Sequence, residues 1–192
     1  MAIPTDILVG VGTLYIATAN TAKPALNATP SASWTSLGET KDGVKVNRSQ
    51  NIEAFSSDQR TGKVKAVRTE EGVTVETNLI QSTLENLADV INGTVSATAA
   101  GSGTVGYKSL KLHSGATVTQ YALLFRGQSP YGAAYVGQFY VPYGYMDDDA
   151  EMEFTKDGEV LIPVKFEALE DPNAATEADR FGQVDYQTAV AL

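Results

Sequence analysis

Cysteine is absent from the 192 residues. That removes disulfides, thiolate chemistry and cysteine-ligated metals together. Histidine occurs once, at position 113, so the commonest acid–base side chain is nearly missing too. No apolar run approaches the ~18 residues that a membrane span requires. The opening MAIPTDILVGVG carries no basic leader and places Asp6 where a signal peptide is apolar, so no secretion signal is expected. Basic charge is scarce: 14 Lys and Arg stand against 23 Asp and Glu, a net charge of -9. With an isoelectric point near 4.6, general nucleic-acid binding is disfavoured, because polyphosphate is repelled. What is present is a chain 43% hydrophobic and only 19% charged. It is apolar enough for a core and too weakly charged for disorder. The length suits one domain with extended arms.

The texture is that of β-structure: short alternating runs separated by Gly, Asn, Asp and Ser. GTLYIATA (12–19) is the first strand, followed by a Pro/Ala/Ser/Thr loop over 20–33. Val44 and Val46 alternate with Lys45 and Asn47, and Val64 and Ala66 or Val67 with Lys63, Lys65 and Arg68. In 72–80, Val73, Val75, Thr77 and Leu79 face one way and Thr74, Glu76 and Asn78 the other. Leu84, Leu87, Ala88 and Ile91 recur at helical spacing, which predicts a helix over 83–92. Ser82 and Glu85 form its capping box, and Gly93 is the left-handed stop. Residues 94–106 read as a small-residue loop. Five strand candidates follow, in YKSLKLHSG, TQYALLFRGQ, GQFYVPYGYM, AEMEFTKDG and EVLIPVKFEALE, with Asp157-Gly158 as a hairpin turn. From Pro172 the chain reads as an extended tail, docked on a neighbour or disordered. The fold class is an antiparallel β-sandwich or barrel with one flanking α-helix and a long extended hairpin.

Motifs that carry chemistry are few. Gly10-x-Gly12 and Gly101-x-Gly103 neither open a helix nor precede Gly-Lys-Ser/Thr, so they read as turns. His113, between Leu112 and Ser114, reads as a strand-face residue with no triad partners. MDDDAEMEF (146–154) offers hard oxygen ligands but lacks EF-hand spacing, and reads as an acidic turn. Tyr131, Tyr135, Phe139, Tyr140, Tyr143 and Tyr145 suit a subunit interface or a sugar platform. No convergent titratable set marks an enzyme.

Charge is unevenly distributed. Within 45–68, Lys45, Arg48, Arg60, Lys63, Lys65 and Arg68 face only Glu53 and Asp58. Within 147–185, thirteen carboxylates face only Lys156, Lys165 and Arg180. Solvated faces account for many such runs. The specific alternative is head-to-tail self-assembly, with a basic surface on one copy meeting an acidic surface on the next.

The order of these features resembles the tail tube proteins of long-tailed bacteriophages. The resemblance rests on Gly12 to Tyr15, on WTSLGETKDGVKV (34–46), on the polar hairpin ending in RTEEGVTVETNLIQSTLENLADVI, and on the strands around TKDGEVLIPVKFEAL. It implies a β-domain over 1–170 with a protruding hairpin at 47–68, and an extended tail or arm over 171–192. It implies no enzymatic activity and no cofactor. It also implies hexameric rings stacked around a tape-measure protein and closed by tail-tip or terminator proteins, assembled in the host cytoplasm into the virion tail without membrane contact. DNA would pass transiently through the channel at ejection. The hairpin residues Arg48, Phe55, Arg60, Lys63, Lys65 and Arg68 become the inter-ring contact. Thr74, Glu76, Asn78, Glu151, Glu153, Thr155, Lys165 and Glu167 become the channel lining. The alternatives are a monomeric carbohydrate-binding β-sandwich using Tyr131 or Tyr140, or another virion β-protein such as a capsid decoration or head–tail connector subunit.

Overall fold

The computed structural model describes residues 11–147, 149–154, 156 and 158–190. With 49% strand and 6% helical residues, the chain is mainly β, an antiparallel sheet with a single α-helix, consistent with the expected sandwich. The strands are β1 (Thr13–Thr18), β2 (Thr35–Ser36), β3 (Thr40–Ser56), β4 (Lys63–Leu79), β5 (Val95–Thr98), β6 (Tyr107–Leu110), β7 (Tyr121–Ser129), β8 (Gly132–Met146), β9 (Ile162–Ala168) and β10 (Gln183–Tyr186). The helix α1 spans Leu84–Val90.

The main sheet runs β2-β1-β7-β8-β9-β4-β3, and β10 also pairs with β8. One edge of β8 is divided between two partners. Its middle (Gly137–Tyr140) takes β10, and its end (Gly144–Met146) takes β9. Alternation on β4 and β9 sends Val75, Leu79, Ile162, Val164 and Phe166 inward. There they meet Leu14, Ile16, Leu123, Val141 and Met146 from the other strands, and Leu87 and Val90 from α1. A smaller cluster of Ala17, Trp34, Ala122 and Leu124 lies apart from this core. The loop before Trp34 is held near it, with the Trp34 indole donating to the Ala22 carbonyl and Arg126 donating to the carbonyls of Leu26 and Ala28.

Several local expectations are corrected. Thr83, not Ser82, caps α1: its hydroxyl accepts from the Asn86 amide at 3.2 Å, while Ser82 donates to the Val160 carbonyl. Asn92, not Gly93, takes the left-handed conformation, with φ 57°. Gly93 is small for another reason, since a Cβ there would lie 2.6 Å from Leu110. The supposed loop after α1 contains β5, which pairs with β6 as a separate two-stranded sheet. His113 is exposed in coil beyond β6 rather than on a strand face. Residues 150–154 form no strand. The hairpin turn expected there involves Thr155 and Asp157, which lie outside the described residues.

The segment after Ala168 returns to its own sheet. The Asp171 amide donates to the Arg180 carbonyl, and the Gln187 amide to Val136. The return needs Gly182, whose φ is +92° and whose Cβ position falls 2.0 Å from the Tyr140 carbonyl oxygen. Lys23 then bonds Asp185 at 2.6 Å, tying the early loop to β10.

Candidate assembly interface

β3 and β4 are each 17 residues long and pair from Thr40↔Leu79 to Ser56↔Lys63, with irregularities between Lys41 and Lys45, Asn51 and Ile52, and Phe55 and Ser56. The inner part of β4 is buried on one face, whereas Lys63–Glu71 is exposed throughout. The outer half is thus a two-stranded arm, an arrangement that is marginal alone in water. Ile52 (49% exposed), Phe55 (46%), Val64 (46%) and Val67 (39%) all lie on it. Phe55 pairs directly across from Lys65, and Ala54 from Ala66. Val67 therefore shares the Lys65 face and Arg68 the Val64 face, so apolar and basic side chains do not separate onto opposite faces as the sequence suggests.

The six basic side chains read as one patch divide into two groups. Arg48 and Arg68 both bind the Glu71 carboxylate, and Arg68 also bonds Gln50. Lys45 pairs with Glu76 at 2.8 Å. Arg60, Lys63 and Lys65 have no carboxylate partner among the described residues. The uncompensated charge is therefore concentrated at the tip, with Phe55 beside it.

The expected channel-lining residues share one polar surface. Thr74↔Glu167, Glu76↔Lys165 and Asn78↔Pro163 are direct cross-strand pairs of β4 and β9, on the side opposite the core. Glu151 and Glu153 are exposed and border a hollow with Asn78, Glu159 and Pro163. Thr155 lies outside the described residues. Ion pairs cross this surface: Lys165 with Asp147 at 2.7 Å, and Lys41 with Glu159. The hydrogen bond and charge of Lys45 hold Glu76 below the usual carboxylate range. Glu167 accepts from the Tyr145 hydroxyl at 3.2 Å, and burial followed by the Glu167 charge pushes that phenol up. Glu151, Glu153 and Glu167 have no lysine or arginine partner among the described residues, so the surface carries excess negative charge.

The aromatic residues near β8 do not form one platform. Tyr140 stacks edge-on against Trp34 at 6.1 Å and donates to the Thr21 carbonyl. Tyr131 meets Tyr186, and Phe139 pairs with Val184. Among the described residues, no group of three His, Asp or Glu side chains could hold a metal, and no helix is long and apolar enough to cross a membrane.

Sequence reasoning missed a cleft of ≈ 500 Å³ between the root of the arm and β10, lined by Val46, Val73, Phe139, Val141, Phe181 and Val184. Its only sequence signal was the pair Phe181 and Val184, inside what reads as a tail.

A family model described as phage tail tube protein matches residues 4–185. No curated protein matches the chain.

Proposed function

The chain belongs to the phage tail tube protein family, and we propose that it polymerises as stacked hexameric rings whose channel conducts DNA at ejection. As a member of that structural family it is a self-assembling component of the virion tail. The observation that carries the finer reading is the arm. It holds four half-exposed apolar side chains and three bases that have no carboxylate partner among the described residues. Leaving such a surface in water wastes apolar burial worth about 25 cal/mol per Å² and exposes strand edges that recruit other chains. A neighbouring ring supplies both apolar cover and carboxylates.

In this reading the polar surface of β4 and β9 lines the channel. Carboxylates there repel phosphate, so DNA slides without being held. A tape-measure protein would occupy the channel during growth, and terminator and tail-tip proteins would close the ends.

The test is negative-stain electron microscopy of the purified protein, alone and seeded with sheared tail tubes. Hollow tubes of uniform width with a regular axial repeat are expected. Lys63→Glu combined with Lys65→Glu should abolish them while leaving the subunit folded, and added salt should weaken assembly of the unaltered protein by screening. Persistent monomers despite seeding would overturn the reading.

A further inference from the structure

We propose that the cleft between β10 and the root of the arm is the receptor for the arm tip of a second copy, which rests on the reading that the arm docks between copies. The walls of the cleft are mainly apolar: Val46 and Val73 from the arm root, Phe139 from β8, and Phe181 and Val184 from the returning segment, with Arg48 and Arg68 beside them, both paired with Glu71. Val184 stands on β10, which among the described residues pairs with β8 alone. The surface is therefore presented by an edge strand, the kind of element that accepts another strand.

The occupant is identified by two matches. The first is apolar. Ile52, Phe55, Val64 and Val67 stand half-exposed on the arm and suit a pocket walled by Phe and Val. The second is electrostatic. Beside the cleft, Glu70 has no basic partner among the described residues, and Glu170 and Glu177 share Arg180. Arg60, Lys63 and Lys65 at the arm tip are bases without a carboxylate partner among the described residues. Complementary charge of this kind fixes register and speeds encounter.

The cleft cannot take its own arm. Phe55 is nine residues beyond Val46 on a strand paired throughout, which places it ~30 Å away at about 3.3 Å per residue. The contact therefore joins two different surfaces of successive copies, tip into root. A heterologous contact of that form repeats along one axis wherever its rotation does not close into a ring.

The experiment replaces Phe55 with the photo-reactive p-benzoylphenylalanine in the full chain, assembles tubes, irradiates them and maps the joined peptides by mass spectrometry. The expected result is inter-copy cross-links from position 55 to residues 139–141 or 181–184. A companion variant, Val184→Arg, places a cation on the exposed edge of the cleft. It should raise the concentration needed for tube formation by roughly tenfold, the loss typical of a contact residue at the centre of an interface, while the unfolding temperature of the monomer stays unchanged. Cross-links that land elsewhere on the neighbouring copy would overturn the cleft as receptor and leave arm docking intact. Intact tubes with no inter-copy cross-link from position 55 would overturn both.

Discussion

The Thr83 hydroxyl accepts from the Asn86 amide, and the Asn86 side chain donates in turn to the carbonyls of Leu37 and Gln81. One cap thus fixes both the start of α1 and its seat on the loop before β3. Thr83→Ala should cost about 1 kcal/mol, read as a lower urea midpoint with unchanged slope. Ser82→Ala, at an exposed bond to Val160, should cost less. The sequence offers two hydroxyls in succession, and the local S-x-x-E rule selects the first. The fold selects the second, because Ser82 is drawn to a carbonyl 78 positions away and Glu85 to Lys108 on β6. A rule confined to four residues does not contain those partners.

Among the elements, β10 is held most visibly by one carboxylate. Burial alone would raise the Asp185 pKa, but hydrogen bonds from Lys23, Gln183 and Gln138 outweigh it, and the group sits below the usual range. A depressed carboxylate pKa contributes stability that is fully present above the unfolded value of about 3.9. That contribution is lost as pH falls through the folded value. Asp185→Asn should therefore destabilise the protein at pH 7, and the difference from the unaltered chain should shrink steadily below about pH 4. Thermal unfolding across pH 7 to 3 measures this, and a difference independent of pH would refute the latch. Legibility followed pairing opportunity. GTLYIATA, GVTVETNLI and the run into VKFEAL alternate cleanly and found partners as β1, β4 and β9. AEMEF alternates as well, yet residues 150–154 form no strand, and Ile162–Glu167 pair with β4 instead. Conversely, β5 is built from Val, Ser, Ala and Thr, which read as loop, and exists because β6 pairs with it.

At the scale of the whole molecule, the arm and the body are separable. None of the buried core residues lies between Asn47 and Gly72. Replacing 51–70 with an Asn-Gly turn, which suits a two-residue hairpin closed by the Gln50↔Glu71 pair, should leave a folded monomer whose unfolding temperature shifts by only a few degrees. The same variant should form no tubes. Circular dichroism melts and electron microscopy of one preparation check both halves, and a shortened chain that still assembles would remove the arm from the assembly. The fold class was legible because alternation reports burial within a chain. The proposed assembly surface was legible only as a charge run, since Glu71 and Glu76 are what separate compensated from uncompensated bases. The apolar side chains of the arm follow the same pattern as core strands, although no layer among the described residues covers them.

The divided edge of β8 has a mechanical consequence. Backbone pairing between the β2-β1-β7-β8 half and the β9-β4-β3 half spans three residue pairs, Gly144↔Ala168 to Met146↔Phe166. Beside these pairs the halves are joined by the backbone bonds from Asp147 to Lys165 and from Leu169 to Tyr143, by the Lys165–Asp147 and Tyr145–Glu167 contacts, and by side-chain packing around Phe166. A pull on the arm enters β4, passes readily along its six-pair ladder to β9, and then meets this short seam. Under axial load the subunit should yield there first, by one half sliding over the other, with each strand pair of the arm still intact.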